Sequence, residues 1–123
     1  MHIQENLLTE IILDQVVLGF DDNSIIRVLY LRNVDTLRVK LILREVRFGK
    51  YLHIFEHKRK NLMQLLHKTG NTTKVLVQIL LPIIKSMLSF GYTRHEIYRA
   101  IRTLKLPERI ADACFLEIMH LKE

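Results

Sequence analysis

Three basic side chains, Lys40, Arg44 and Arg47, recur about one helical turn apart within residues 36–47. This spacing places them on one face of a helix, away from the apolar stripe of the same segment. Lysine and arginine on one ridge suit contact with DNA phosphates or with base edges in the major groove. The pattern therefore predicts a DNA-contacting helix. Further basic residues that we predict to contact DNA are Lys50, Lys58, Arg59, Lys60, Arg94, Arg99 and Arg102.

The positive charge is concentrated in the middle of the chain. The 123 residues contain 19 Lys and Arg against 13 Asp and Glu, a formal net charge of +6. Residues 1–46 hold five basic and seven acidic residues, a net charge of −2. Residues 47–78 hold seven basic residues and one acidic residue, a net charge of +6. Residues 79–123 hold seven basic and five acidic residues, a net charge of +2. A basic balance permits nucleic acid, an acidic membrane or an acidic protein as the partner. A short basic run is also typical of a solvated helix face.

Few residues could carry catalysis or bind a metal. His53 and His57 lie four residues apart, but no third ligand at a metal-like spacing accompanies them, and zinc sites need three or four ligands. Asp21 and Asp22 are placed to cap a helix, and Cys114 lies on the apolar side of one. We therefore predict neither an enzyme nor a metal or cofactor site.

The cysteine content and the first residues favour a cytoplasmic protein. A single cysteine excludes an internal disulfide and fits a reducing compartment. Glu5, Glu10 and Asp14 make the N-terminal segment unlike a signal peptide. The longest uncharged run, Val75 to Ile84, has about half the length of a membrane span. We expect no membrane partner.

The composition and the spacing of apolar residues predict an all-α fold. The chain has 4 Gly and 2 Pro, fewer than the turns of a sandwich or barrel need. The aromatic, β-prone residues 51–55 also permit one short strand there. The predicted helices cover residues 4–18, 22–32, 36–47, 56–68, 73–90, 94–104 and 107–120.

The last third of the chain resembles the first. Shifted by 72 residues, segment 7–46 aligns with segment 79–118, and both predict a helix, a Gly-aromatic turn, a short helix, a tight turn and a helix. The final two helices of each unit follow a helix-turn-helix plan, although in the second unit the basic residues lie on the first helix of that pair. We predict one compact domain, residues 1–123, built from two three-helix units and a basic connecting segment, 47–78. Aligned pairs include Leu8 with Leu80, Ile12 with Ile84, Gly19 with Gly91, Phe20 with Tyr92, Ile25 with Ile97 and Arg27 with Arg99.

The order of elements resembles FlhD, a subunit of the bacterial flagellar master transcription activator. The likeness covers about residues 16–68 and again 86–118, and is carried by segment 18–25, the turn at 34–37 and the Leu-Pro turn at 106–107. The resemblance implies a helical transcription activator that binds double-stranded DNA as a homodimer or with a larger, zinc-binding, FlhC-like partner subunit. FlhD-like subunits also occur in activators encoded on conjugative elements. Because the motif occurs twice here, the chain could fold on itself as an internal pseudo-dimer.

The two Gly-aromatic turns are also similar to a loop of the ubiquitin-associated domain, another three-helix bundle. Segments 18–20 and 90–92 carry this second resemblance. It implies a protein–protein interaction module that presents Phe20 and Tyr92 on an exposed apolar loop. The basic charge clustered at 47–60 favours a polyanion, so we rank DNA-binding transcription regulation first and the interaction module as the alternative.

Overall fold

The described part of the chain is entirely helix and turn. A computed structural model describes residues 4–68 and 72–120. Within these ranges the chain forms seven α-helices and no strand, which confirms the predicted all-α class. The helices are α1 (Glu5–Val17), α2 (Asp22–Tyr30), α3 (Thr36–Arg47), α4 (Leu52–Leu66), α5 (Thr73–Phe90), α6 (Arg94–Arg102) and α7 (Glu108–His120).

Short-range signals in the sequence set several helix ends. At the start of α2, the Ser24 N–H donates to Asp21 Oδ1 at 2.8 Å. At the start of α6, Thr93 and Glu96 form a capping box, in which each side chain accepts from the backbone N–H of the other residue. Gly91 ends α5 in the left-handed conformation, with φ of +119°. Only glycine adopts this conformation without a steric penalty.

The predicted strand over 51–55 is wrong, because this segment opens a helix. α4 begins at Leu52, and the Phe55 N–H donates to the Tyr51 carbonyl at 2.9 Å. Leu62 and Leu66 continue the spacing of Phe55, and all three side chains reach the hydrophobic core. A lone strand would leave its backbone groups without partners, whereas the helix satisfies them internally. Helical periodicity therefore outweighs the local β preference of the aromatic residues.

The helices pack as two groups of three, with α4 attached to the first. Helices α1, α2 and α3 contact one another, and so do α5, α6 and α7, while α4 lies against α1. One hydrophobic core runs through both groups and includes Ile12, Val39, Ile84 and Ile118. The two groups therefore share buried apolar surface. That they are copies of one unit, 7–46 and 79–118, stays a prediction.

Helix α5 is the most apolar element of the fold. By length and composition, this 18-residue helix could cross a membrane, a test that core helices of soluble proteins also pass. Here it packs against α6 and α7 through Leu76, Leu80 and Ile84, and only 17% of its residues are buried. Pro82 lies inside it without ending it.

The two Gly-aromatic turns meet where the helix groups join. The rings of Phe20 and Tyr92 stack with centroids 3.7 Å apart and planes 10° from parallel. A Cβ on Gly19 would overlap the Thr103 hydroxyl and lie 2.9 Å from the Ala100 carbonyl oxygen, and a Cβ on Gly91 would lie 3.7 Å from Val28. Under the 72-residue shift, Val28 and Ala100 are equivalent positions. Both turns therefore approach the same position of the opposite group, a reciprocal arrangement, and Gly19 in addition meets Thr103.

Ionic contacts across the junction follow the same reciprocity. The Arg27 guanidinium donates to the Gly91 carbonyl at 3.1 Å and forms an ion pair with Glu96, in the first turn of α6. Its aligned counterpart, Arg99, lies 3.6 Å from the carboxylate of Asp21, which caps α2. Each arginine thus reaches a carboxylate at the start of the other group's short helix. Carboxylates are favoured at such helix starts, because unpaired N–H groups point towards them.

Candidate nucleic-acid interface

Lys40 and Arg44 lie on an outward-facing ridge of α3. Val39, Ile42 and Leu43 are buried and hold α3 against its neighbours, as the sequence predicts for the apolar stripe of this helix. Lys40 and Arg44 are exposed, and neither forms an ion pair with another residue in the described ranges. Their positive charge is therefore available to a partner from solution.

The same helix exposes large apolar side chains that the sequence analysis did not single out. Leu37 is 63% exposed, Leu41 is 51% exposed and Phe48, just past the end of α3, is 82% exposed. Leu37 and Leu41 flank Lys40 on one side of the helix. The signal was present in the sequence, because α3 carries more apolar residues than one buried stripe can hold. The exposed surface is consequently a mixed apolar and basic one.

Arg47 and Lys50, at the end of α3, are engaged in ion pairs within the fold. Arg47 donates from Nε and Nη2 to Asp22 Oδ1, at 3.0 and 2.6 Å. Lys50 Nζ lies 2.6 Å from Glu45 Oε2, and this hydrogen bond lowers the pKa of Glu45 and raises the pKa of Lys50. Both pairs are exposed, so they contribute little to stability. They do neutralise charge that was predicted to face DNA.

In the basic run of α4, two side chains contact α1 and the third is exposed to solvent. Lys58 Nζ lies 2.7 Å from Glu10 Oε1 and 2.9 Å from Asp14 Oδ1, and hydrogen bonds to these two carboxylates raise the pKa of Lys58. Arg59 is half-buried and donates to the Val17 carbonyl at 3.5 Å. Lys60 is exposed and forms no ion pair with the described residues. Two of the three cations therefore attach α4 to α1.

The candidates in the second group of helices are all engaged in contacts with other residues. Arg94 Nε donates to the Ile118 carbonyl at 3.0 Å, close to the end of α7. Arg102 donates to Tyr98 Oη at 2.9 Å and to Glu108 Oε1 at 3.1 Å. Arg99 belongs to the junction with Asp21. Each of these three arginines therefore contacts other residues of the protein, and the three do not form one exposed basic ridge.

Of the ten predicted contact residues, Lys40, Arg44 and Lys60 remain exposed and outside ion pairs among the residues that the structure describes. The sequence-based prediction included too many cations, because it took no account of acidic residues that are distant in the sequence but pair with these cations in the fold. Five exposed Lys and Arg residues with neither an ion pair nor a side-chain hydrogen bond in that part of the chain were not among the candidates. They are Lys68, Lys74, Lys85, Lys105 and Arg109.

Side chains that could do other chemistry are sparse in the described ranges. They contain no group of three or more His, Cys, Asp or Glu residues that could hold a metal ion. Cys114 is fully buried, and burial raises the pKa of its thiol to about 11. A protonated, inaccessible thiol is a packing group and not a nucleophile.

The exposed aromatic loop that the ubiquitin-associated resemblance implies is not found. Phe20 and Tyr92 are only 4% and 2% exposed, because they stack on each other at the junction. A protein partner would therefore have to bind elsewhere on the surface.

No protein-family model, curated protein or solved structure matches this chain.

Proposed function

We propose that this protein is a DNA-binding transcription regulator that contacts the duplex through α3. The observation that carries the proposal is the ridge of Lys40 and Arg44, two exposed cations one turn apart and without an ion pair among the described residues. Helices α2 and α3 contact each other and are joined by residues 31–35, as in a helix-turn-helix pair. In that arrangement the second helix lies in the major groove.

The neighbouring residues support this assignment. Leu37 and Leu41 lie beside the two cations, where apolar side chains can contact thymine methyl groups. Lys60, on α4, is a further exposed cation that can add affinity for phosphates without regard to sequence. In the finer form of the proposal, which rests on the FlhD resemblance, the chain is the smaller subunit of an activator and a larger partner subunit adds DNA contacts.

A salt titration tests the proposal directly. Fluorescence anisotropy with a labelled, mixed-sequence duplex of about 25 base pairs should give a Kd that rises steeply with salt, because bound phosphates release counterions. Replacing both cations, as Lys40→Gln with Arg44→Gln, should weaken binding about tenfold or more at low salt. It should also reduce the slope of log K against log salt by about 2, since each phosphate contact contributes about 0.9.

The matched control is Lys74→Gln with Lys85→Gln. Both lysines are exposed on α5 and outside ion pairs in the described ranges, so this variant has the same change in net charge at another surface. It should alter the Kd by less than about twofold, as only distant, screened charges are removed. Equal losses in the two double variants would show that the affinity depends on overall charge. Undetectable binding at low salt would contradict DNA contact by the chain on its own.

The exposed apolar residues of α3 favour a second candidate function, a protein–protein interaction module. A partner for this surface would be an amphipathic helix that alternates apolar and acidic residues, because Leu37, Leu41 and the two cations share the ridge. Leu37→Ser with Leu41→Ser should then abolish binding of a synthetic Leu- and Glu-rich helical peptide. On the DNA proposal, the same variant binds the duplex with a loss of less than about fivefold, since phosphate contacts dominate the affinity.

A further inference from the structure

The outward-facing side of α7 carries exposed apolar and acidic side chains together. Leu116 is 60% exposed and Met119 is 55% exposed. Asp112 lies about one turn before Leu116 on the same side of the helix, opposite the buried Cys114 and Ile118. Large apolar side chains that cluster on a surface mark sites of contact with a partner. This side of α7 therefore has the composition of a contact surface.

The net charges of α7 and α3 are opposite in sign. Helix α7 contains three acidic residues and one arginine, so its net charge is −2. Helix α3 contains four basic residues and one glutamate, so its net charge is +3. On α7, Asp112 and Glu117 are exposed and form no ion pair with a described residue. The same holds for Lys40 and Arg44 on α3, so each surface offers the charges that the other lacks.

These charges favour one pairing between two copies of the chain. Contact of α3 with α3 of a second copy would bring cations together, and contact of α7 with α7 would bring carboxylates together, which disfavours both. Contact of α3 with α7 pairs opposite charges and also covers the exposed apolar side chains of both helices. Within one chain, α3 contacts α1 and α2 through its buried side, and α7 contacts α5 and α6 through its own, so both outward sides are open.

We propose that α7 of one copy of this protein docks on the α3 ridge of a second copy. The α3 ridge consists of Leu37, Lys40, Leu41 and Arg44. The exposed leucine and methionine of α7 then pack on the two leucines of the ridge, and the α7 carboxylates lie close to its two cations. The docked helix covers the surface proposed for DNA, so a second copy and the duplex compete for it. This competition rests on the proposed function, whereas the contact itself does not.

Sedimentation velocity without DNA tests the contact. At low salt the weight-average mass of the natural chain should rise about 1.5-fold between about 1 μM and about 200 μM, because a contact of one helix from each copy is small and transient. Lys40→Glu with Arg44→Glu makes the ridge acidic, so this variant should stay monomeric over the same range. Asp112→Lys with Glu117→Lys makes α7 basic and should have the same effect.

An equimolar mixture of these two charge variants should associate again, because each acidic surface then meets a basic one. Recovery of the mass in the mixture also shows that both variants are folded. The matched control is Lys74→Glu with Lys85→Glu, which makes the same change in net charge as the α3 variant on exposed positions of α5. Its association should stay within about twofold of that of the natural chain, since these charges are distant and screened.

The proposal is overturned if the natural chain stays monomeric at about 200 μM, the range in which small contacts associate. It is also overturned if either charge variant alone associates as strongly as the natural chain, or if the mixture of folded variants stays monomeric. None of these results depends on DNA. A chain that associates in this way but binds no duplex contradicts the proposed function alone.

The competition is measured by DNA anisotropy. The Lys40→Glu, Arg44→Glu variant keeps the natural α7 but lacks the basic ridge. At about 200 μM it should raise the apparent Kd of the natural chain for the labelled duplex about threefold, as expected for a competitor with a Kd of about 100 μM. An unchanged Kd in the presence of this competitor would overturn the competition between the second copy and DNA.

Discussion

Helices α3 and α7 hold equivalent places in the two groups but present different surfaces to solvent. Shifted by 72 residues, the buried Val39 and Ile42 of α3 fall on Ala111 and Cys114 of α7, which are buried as well. The outward positions differ much more. Lys40, on the α3 ridge, falls on Asp112. Positions that contact the core are therefore alike in the two groups, while the outward-facing position of Lys40 and Asp112 differs in charge.

The two Gly-aromatic turns at the junction are also alike in some features and different in others. Gly19 and Gly91 both have a positive φ, and Phe20 and Tyr92 stack on each other, so the turns use the same backbone conformation and the same kind of ring. They differ in how closely the opposite group approaches and in one hydroxyl group. The predicted repeat can therefore be tested by making equivalent substitutions in each group and comparing their effects.

The largest effects are expected from equivalent core residues. Ile12 and Ile84 are aligned, and both are fully buried in the shared core. Ile12→Ala and Ile84→Ala should each lower the free energy of unfolding by about 2–5 kcal/mol, since each leaves a cavity among packed side chains. Urea unfolding measures this loss, with the exposed Leu7→Ala as a control that should change little. Two separate unfolding transitions in either variant would contradict a single cooperative core.

The junction glycines should differ in their sensitivity. Gly19→Ala should cost about 3 kcal/mol or more, because the positive φ of +97° disfavours alanine and the new Cβ would overlap the Thr103 hydroxyl and press on the Ala100 carbonyl. Gly91→Ala should cost about 1–2 kcal/mol, since its Cβ would meet Val28 only at ordinary contact distance. Chemical unfolding of both variants gives the comparison. Equal losses would show that the two turns are equally crowded.

The two junction carboxylates should respond differently to neutralisation. Burial raises the pKa of Glu96, but hydrogen bonds from Ser24, Thr93 and Arg27 outweigh it, so the net pKa is lowered. A lowered pKa means that Glu96 stabilises the fold above about pH 4.3, and that this stabilisation is lost as the pH falls through the folded-state pKa. Glu96→Gln should therefore cost about 1–2 kcal/mol at neutral pH.

The difference between Glu96→Gln and the natural chain should shrink as the pH falls below about 4.3 and through the lowered pKa of folded Glu96, because protonation then neutralises Glu96 in the natural chain too. Asp21→Asn is the matched variant at the other carboxylate. Asparagine still caps α2, and the Arg99 contact is exposed, so the loss should stay near 0.5 kcal/mol or below. A pH-independent difference for Glu96→Gln would contradict a charged role for Glu96.

The smallest effect is expected from making the stacked rings alike. The hydroxyl of Tyr92 is buried and has no hydrogen-bond partner among the described residues, and burial raises its pKa, so it stays protonated. Tyr92→Phe reproduces the ring found at Phe20 and removes the unpaired hydroxyl. It should leave the stability unchanged or raise it by up to about 1 kcal/mol. A loss above about 1 kcal/mol in thermal unfolding would show that the hydroxyl is bonded.

Much of the fold could be predicted because its signals are local. The cap at Asp21 and the Gly-aromatic turn at the end of α5 occur as expected, and the capping box of Thr93 and Glu96 is likewise a local pattern that acts within a few residues. The strand at 51–55 was mispredicted because the β preference of five residues does not show whether a partner strand exists to pair with them. Periodicity over the whole of α4 was the better guide.

The candidate site was only partly accessible from the sequence. The spacing of Lys40 and Arg44 predicts a ridge, and the structure leaves both exposed. Arg47, by contrast, lies within the same pattern but pairs with Asp22, a residue of α2. The exposure of Leu37 and Leu41 was missed, because sequence periodicity separates buried from exposed apolar residues only when one stripe suffices.

The sequence by itself determined that the chain is helical, where most helices begin and end, and which face of each helix is apolar. These properties depend on residues within one or two turns of each other. Tertiary structure alone decided that the two Gly-aromatic turns bury each other and that most candidate cations bind acidic or carbonyl groups of other helices. It also decided that the buried Gln15 oxygen has no hydrogen-bond partner among the described residues. Such outcomes depend on contacts between residues far apart in the chain, and a single sequence carries no direct record of those contacts.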